Sequence, residues 1–287
     1  MPELPEVETV RRGLEAAITG SKVTDVAIFD VRCVRRNFGP KSSFKRELVG
    51  SRLENFERRG KFLWMPLDEK RCLVTHLGMS GQVLVRTPGY PPDKCERLRI
   101  SVERRKKNLE VRFIDQRLFG GMYIDELVEI KSHLPVPKSA SHIAPDPLED
   151  QFDLDHVVNV MHKRSASVKS LLLNQEIVSG IGNIYADETL WLSRVHYLTP
   201  GVSLSKAKLA EVIYTAQKVL TQAVEQGGTS FDEQYKNVNG EGGYFSQSLN
   251  AYGRTGIPCS RCGTSIRREA WANRGSHFCP RCQRRKI

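Results

Sequence analysis

The sequence predicts an α+β protein of two domains, and three observations lead there. Short β-rich runs separated by turns fill the first half, helical periods fill the second, and four cysteines in two Cys-x2-Cys pairs close the chain. A length of 287 residues suits two domains. The boundaries read from composition are 1–134 for a β-rich domain, 135–150 for a linker, 151–256 for a helical domain and 257–287 for the cysteine tail.

Each element follows from local pattern. A first helix is expected over residues 7–18, behind the opening run Met1-Pro2-Glu3-Leu4-Pro5-Glu6. Strands are expected over 23–29, 72–77, 82–85, 98–102 and 109–113. In one of them Leu98, Ile100 and Val102 alternate with Arg99, Ser101 and Glu103, and residues 104–108 form a solvated hairpin tip. Together these strands predict a β-sandwich. Residues 134–147 contain four prolines and no period, which marks the linker. Beyond it, Leu209, Val212, Ile213, Ala216, Val219, Leu220, Ala223 and Val224 form the apolar stripe of one structural helix that stops at Gly227-Gly228. Two shorter helices over 169–174 and 184–192 flank Val178-Ser179-Gly180-Ile181-Gly182-Asn183, a turn that opens a helix N-terminus and so offers a phosphate site.

Charge narrows the class of partner. Lys plus Arg number 44 against 33 for Asp plus Glu, a net of +11, and residues 258–287 carry eight Lys/Arg against Glu269. Such a field favours a polyanion, and nucleic acid is the commonest one in a cytoplasm. No apolar run approaches the roughly 20 residues that span a bilayer. The first residues are acidic rather than a basic signal region, so an unexported, cytoplasmic protein with no membrane partner is expected. In that compartment Cys259, Cys262, Cys279 and Cys282, with sixteen residues between the pairs, match a tetrahedral four-thiolate zinc site. Such a zinc holds a short hairpin bearing Arg267, Arg268 and Arg274.

The opening residues admit two readings. Proline and glutamate suit the first turn of a helix. Removal of Met1 would also leave Pro2 with a terminal secondary amine, whose pKa of roughly 8 keeps a sizeable fraction neutral and nucleophilic. Glu3 and Glu6 then supply the carboxylates that acid–base chemistry requires.

Pro2-Glu3-Leu4-Pro5-Glu6-Val7-Glu8-Thr9-Val10, His76-Leu77-Gly78-Met79-Ser80-Gly81, Gly182-Asn183-Ile184-Tyr185, Gly243-Tyr244-Phe245, Tyr252-Gly253-Arg254 and the four-cysteine tail closely resemble the formamidopyrimidine-DNA glycosylases. The resemblance runs from end to end. It implies a helix-flanked β-sandwich followed by a helix-two-turns-helix domain with a zinc-finger β-hairpin, one structural Zn2+, and double-stranded damaged DNA as partner. A nucleoid-associated enzyme of this kind reads single lesions, and a monomer is expected.

The resemblance also implies an activity. The enzyme excises oxidised purines through an iminium on Pro2, with Glu3 as acid, Glu6 in support and Lys61 on a phosphate near the lesion, and then cleaves the strand by β,δ-elimination. Met79, Arg117 and Phe119 would hold the duplex open, while His76, Lys169, Asn183, Arg254 and Arg274 bind the DNA backbone. A loop from Thr229 to Tyr244, mobile without DNA, would close over the base, with Thr229, Ser230 and Tyr244 as base contacts. Leu118, Ala144 and Asn174 depart from the family pattern, which has a basic residue, glycine and aspartate there. Two alternatives are an endonuclease VIII type enzyme for oxidised pyrimidines, against which Leu4 and Phe119 stand, and a catalytically silent binder of damaged DNA, against which Pro2, Glu3 and Lys61 stand.

Overall fold

A computed structural model describes residues 2–130, 135–229 and 237–285. Met1 lies outside the described residues, as do Ser230 and the rest of 230–236 in the expected closing loop. The chain divides into two compact units. One comprises residues 1–142 with 227–244, the other 143–226 with 245–287.

In the first unit helix α1 spans Leu4–Ile18 and starts three residues earlier than the apolar period indicates. Pro5 in its first turn lacks an N–H that the helix would leave unpaired anyway, so the proline does not oppose the start. Then follow β1 (Ser21–Ile28), α2 (Ser43–Leu48), β2 (Arg52–Leu53), β3 (Glu57–Arg59), β4 (Phe62–Pro66), β5 (Arg71–His76), β6 (Gly81–Arg86), β7 (Glu96–Arg104), β8 (Lys107–Asp115), β9 (Gly121–Val128) and β10 (Val136–Pro137). They form two five-stranded sheets, ordered β2-β1-β7-β8-β6 and β10-β9-β5-β4-β3, with antiparallel pairing throughout.

Their inner faces share one core with α1. Val23, Leu98, Ile100, Val102, Val111 and Phe113 from the first sheet meet Leu63, Met65, Leu73, Met122 and Ile124 from the second, alongside Val7, Val10, Leu14 and Ile18 of the helix. The outer face of the second sheet is also apolar, with Trp64, Cys72, Val74 and Tyr123 packed together. That face needs a cover, and Val136 supplies part of it. The first residues of the expected linker are built into the sheet, where Val136 and Pro137 pair with Val128 and Leu127, and the division between the units, at 142/143, falls within 135–150. The stretch 227–244, assigned from sequence to the helical domain, belongs to this first unit.

The second unit holds α3 (Leu154–His162), α4 (Val168–Leu173), α5 (Asn183–Leu192), α6 (Lys206–Glu225) and the hairpin β11 (Arg267–Trp271) with β12 (Arg274–Phe278). Asp153, Ser167 and Ser205 cap α3, α4 and α6 by accepting N–H groups of His156, Ser170 and Lys208. The eight apolar residues of the α6 stripe are all buried. Asn174 closes α4, and its Oδ1 accepts the Glu176 N–H at 3.0 Å, a turn that aspartate would make equally well. Ala144 donates its N–H to Gln175 O at 2.9 Å and has no left-handed backbone, so glycine is not required there.

Leu14, fully buried between helix and sheets, ties α1 to the core. Leu14→Ala should lower unfolding free energy by about 3 kcal/mol in urea titrations; a loss below about 1 kcal/mol would place the helix outside the cooperative core.

Candidate active site

The amino-terminal end of α1 is fixed by one carboxylate. Glu6 Oε2 accepts the Glu3 N–H at 2.8 Å, which holds the peptide plane that joins Pro2 to Glu3. Its other oxygen, Oε1, accepts the Thr229 N–H at 2.7 Å and the Thr229 hydroxyl at 3.0 Å. A single buried side chain thus ties residue 3 to residue 229. Gly228 makes the approach possible: a Cβ there would stand 2.7 Å from Glu6 Oε1, and its φ of +82° is one that side chains disfavour. Thr229, expected from sequence to touch a bound base, is instead 3% exposed and spends its hydroxyl on Glu6. Tyr244, bridged to Thr229 through the backbone, is 70% exposed.

Pro2 is buried and lines a cavity of about 50 Å³ with Val7, Lys61, His76, Leu77 and Gly78. His76 packs its ring 4.9 Å from that of Phe62. Burial, with the nearby charges of Arg36, Lys61 and Arg35, pulls its pKa down from 6.5 to about 4. At neutral pH the ring is uncharged, and Nδ1 accepts the Gly78 N–H at 3.2 Å, which leaves Nε2–H as the donor.

Two loops from this unit present the three residues expected to open a duplex. Asp115, fully buried, accepts the Ser80 hydroxyl at 2.6 Å, the Arg117 N–H at 3.1 Å and the Gly120 N–H at 2.8 Å. From outside, Arg35 donates to the carbonyls of Leu118 at 2.8 Å and Phe119 at 3.1 Å. Leu118 adopts φ +56°, so its role in this turn is conformational. The two loops interlock at Gly78, where a Cβ would fall 2.4 Å from Gly120 N. The result is a rigid base under exposed tips: Phe119 is 51% and Met79 40% exposed, and Arg117 is exposed. Ser80 stands in the His76–Gly81 motif with no task legible from its position, and neither Asp115 nor Arg35 is marked by the sequence pattern; a short polar residue bonding its own backbone near a glycine is the one signal that points to Asp115.

In the second unit the expected phosphate donors separate into two kinds. Arg274 is exposed at the start of β12, Arg254 is half-buried with Nη1 on Leu249 O at 3.3 Å, and Asn183 at the first turn of α5 donates to Gly275 O at 3.0 Å. Lys169 differs. It is 0% exposed, and its ammonium bonds Asp187 Oδ1 at 2.6 Å and Ser276 Oγ at 2.8 Å, so it is a structural cation rather than a surface donor. Asp187 also accepts the His277 N–H at 2.8 Å, so the pair fastens β12 to α4 and α5. Glu188 does the same for the next loop, accepting N–H groups of Ala251 and Tyr252, each at 2.8 Å. Burial pushes its carboxyl pKa up against the pull of those bonds.

The four thiols of Cys259, Cys262, Cys279 and Cys282 all lie within 4.8 Å of one another. A tetrahedral zinc with bonds of about 2.3 Å separates its sulfurs by about 3.8 Å, so the set fits one structural ion. Each knuckle is locally built: Gly263 N–H reaches Cys259 O at 2.8 Å, and Gln283 accepts the Cys279 N–H at 2.9 Å while donating to Val195 O at 2.9 Å. All four positions are taken by thiolates, so the ion holds structure. No described helix is long and apolar enough to cross a membrane.

By fold and site this is a helix-two-turns-helix protein with a β-sandwich ahead of it and a four-cysteine zinc finger behind. The family model for the formamidopyrimidine-DNA glycosylase N-terminal domain matches residues 1–122, that for its H2TH domain residues 143–234, and that for the zinc finger found in FPG and IleRS residues 256–285. The formamidopyrimidine-DNA glycosylase of Leifsonia xyli is 48% identical over 99% of this chain and 100% of its own, and that of Rhodococcus jostii is 49% identical over 99% and 96%. The crystal structure of Lactococcus lactis Fpg with abasic-site DNA superposes with a TM-score of 0.84 at 31% identity, covering 99% of this chain and 100% of that one. A mutant of that protein bound to Fapy-dG-containing DNA gives a TM-score of 0.85, with the same identity and coverage. The chain belongs to the formamidopyrimidine-DNA glycosylase family.

Two measurements check this description. Because the folded His76 pKa lies below its unfolded value, the unfolded chain binds the proton more tightly between about 6.5 and about 4. Stability should fall as pH drops through that window, and His76→Gln should flatten this part of a melting-temperature profile; an unchanged slope would contradict the burial. Asp187→Ala should destabilise the protein by about 3–5 kcal/mol by stranding Lys169, and the joint Lys169→Met/Asp187→Leu change should restore much of that in denaturant titrations.

Proposed function

We propose that this chain removes oxidised purines, 8-oxoguanine and formamidopyrimidines, from duplex DNA and then cuts the abasic strand by β,δ-elimination. The observation that carries the reading is the placement of Pro2, buried beside Lys61 and His76 with its following peptide held by Glu6. Removal of Met1 gives Pro2 a secondary amine that is partly neutral at pH 7.

The chemistry then follows from the atoms present. The proline nitrogen attacks C1′, the bond to the base breaks, and the proline N–H proton passes to the departing base, which leaves neutral and returns a lone pair to the nitrogen. Glu3 gives a proton to the sugar ring oxygen, the ring opens, and the nitrogen lone pair forms an iminium with C1′. The iminium draws electrons and acidifies the C2′ proton. Loss of that proton expels the 3′ phosphate, and a second elimination expels the 5′ phosphate. Glu6 orients the amine through the Glu3 peptide, and Lys61 offers its charge to a phosphate beside the lesion.

The remaining residues bring a base to this end. Extruding a nucleotide costs a few kcal/mol, and a stiff apolar wedge can offset it. Phe119 would part a base step, Met79 would fill the vacated space, and Arg117 would bond the widowed cytosine with its fork of donors. Backbone contacts come from the neutral His76 donor, Asn183, Arg254 and Arg274; Lys169 acts behind them by holding β12. Tyr244 is the exposed aromatic left to meet the base. A monomer acting in the cytoplasm on nucleoid DNA suffices for single lesions.

Incubation with duplexes carrying 8-oxoguanine opposite cytosine, an oxidised pyrimidine or an abasic site, followed by borohydride, tests the proposal. A reduced covalent adduct should form with 8-oxoguanine in preference to the pyrimidine, and Pro2→Gly should slow it with binding retained. Glu3→Gln should lower excision by about 10²–10⁴-fold. No adduct with any duplex would remove the enzymatic reading, and a preference for the pyrimidine would move the substrate class.

A further inference from the structure

The β7–β8 hairpin, at the far end of the first sheet from Arg117 and Phe119, carries four consecutive cations, Arg104, Arg105, Lys106 and Lys107. On the same two strands Arg99 is paired with Glu96 at 2.6 Å, and Arg112 is paired with Asp93 at 2.9 Å and with Glu110. Among the described residues, none of the four tip cations forms an ion pair. Lys22 and Arg52 extend the basic surface, since Lys22 stands opposite Arg52 on one side and Glu103 on the other, and both cations are exposed.

The backbone makes this arrangement unfavourable in isolation. Arg104 and Lys107 are directly opposed in the register, so like charges face each other. The two turn residues, Arg105 and Lys106, both adopt left-handed backbone with φ +46° and +64°. That is a two-residue turn with positive φ at both positions, for which Asn-Gly is the relaxed choice. Long cationic side chains stand at a place that disfavours them twice, by backbone and by charge. Stored strain of this kind marks a position held for something outside the fold.

We infer that this hairpin tip is a second phosphate-backbone contact, which grips DNA away from the lesion. The nine residues of β8 from Lys107 to Asp115 span roughly 26 Å. A duplex of about 12 base pairs centred on the wedge loops reaches only about 20 Å to either side and falls short of the tip. Longer DNA can reach it, whether through the same molecule or a neighbouring segment. Four donors in one turn, two of them guanidinium forks, match the dense row of phosphates on a duplex. The contact would hold the protein on undamaged DNA during search and carry no sequence information.

The double change Arg105→Asn/Lys106→Gly removes two charges and relaxes the turn, so folding is retained and the melting temperature should rise. Binding to a lesion-free duplex of about 60 base pairs should weaken about tenfold at about 50 mM salt, and the slope of log affinity against log salt should shrink by about 2. Binding to the duplex of about 12 base pairs with an abasic-site analogue should be unchanged, and Arg105→Lys/Lys106→Arg should behave as the parent. An unchanged salt slope on long DNA would overturn the assignment, as would equal weakening on the short duplex. Loss of affinity for poly-glutamate with DNA binding intact would replace DNA by an acidic protein segment. Neither readout involves adduct formation at Pro2, so this contact and the excision chemistry can fail separately.

Discussion

The Glu6 carboxylate is the constraint on which the candidate site depends. With one oxygen on the Glu3 N–H and the other on the Thr229 N–H and hydroxyl, it fixes the exit of the N-terminal peptide and the start of the 227–244 segment by one group. Helix α1 presents this carboxylate because its core face, Val7, Val10, Leu14 and Ile18, is clamped between the sheets. A terminal residue ordinarily frays. Here the peptide after Pro2 is held by the Glu6 carboxylate in a buried setting, which is the rigidity that the role proposed for Pro2 requires.

The same device recurs beneath three further loops that carry expected contacts. Asp115 gathers the Arg117 and Gly120 N–H groups beneath Phe119, Asp187 takes the His277 N–H beneath Arg274, and Glu188 takes the Ala251 and Tyr252 N–H groups ahead of Arg254. Loops normally buy mobility with unsatisfied backbone; these are held by buried acids that each accept several bonds. Acids used in this way are turned inward, which leaves arginines such as Arg117 and Arg274 as the charges that solvent and a polyanion meet. The net charge of +11 therefore understates the cationic character of the surface.

Legibility in the sequence followed the physics of each element. The α6 stripe and the alternation of β7 were readable because one face of each is wet and the other dry. Strands β4 and β9 were not, since Phe62–Pro66 lies between two apolar layers and shows a run without alternation, and Gly121–Val128 has the same surroundings over its first half. Val136 and Pro137, at the start of the expected linker, form an edge strand instead, because prolines mark an edge strand as readily as a linker. Among site residues, the zinc cysteines and the Pro2-Glu3 opening stood out by spacing and position. The partners of Lys169 and Thr229 were not legible, because a donor's partner cannot be read from its type: the fold gives the lysine to Asp187 and the threonine to Glu6.

Amide hydrogen exchange at Glu3 and Thr229, compared between the parent protein and Glu6→Ala, tests the central claim most directly. If Glu6 holds both segments, both amides are protected in the parent and both lose protection together in the variant, while amides in the α6 core keep theirs. Protection at Thr229 that survives the loss of the Glu6 carboxylate would contradict the account.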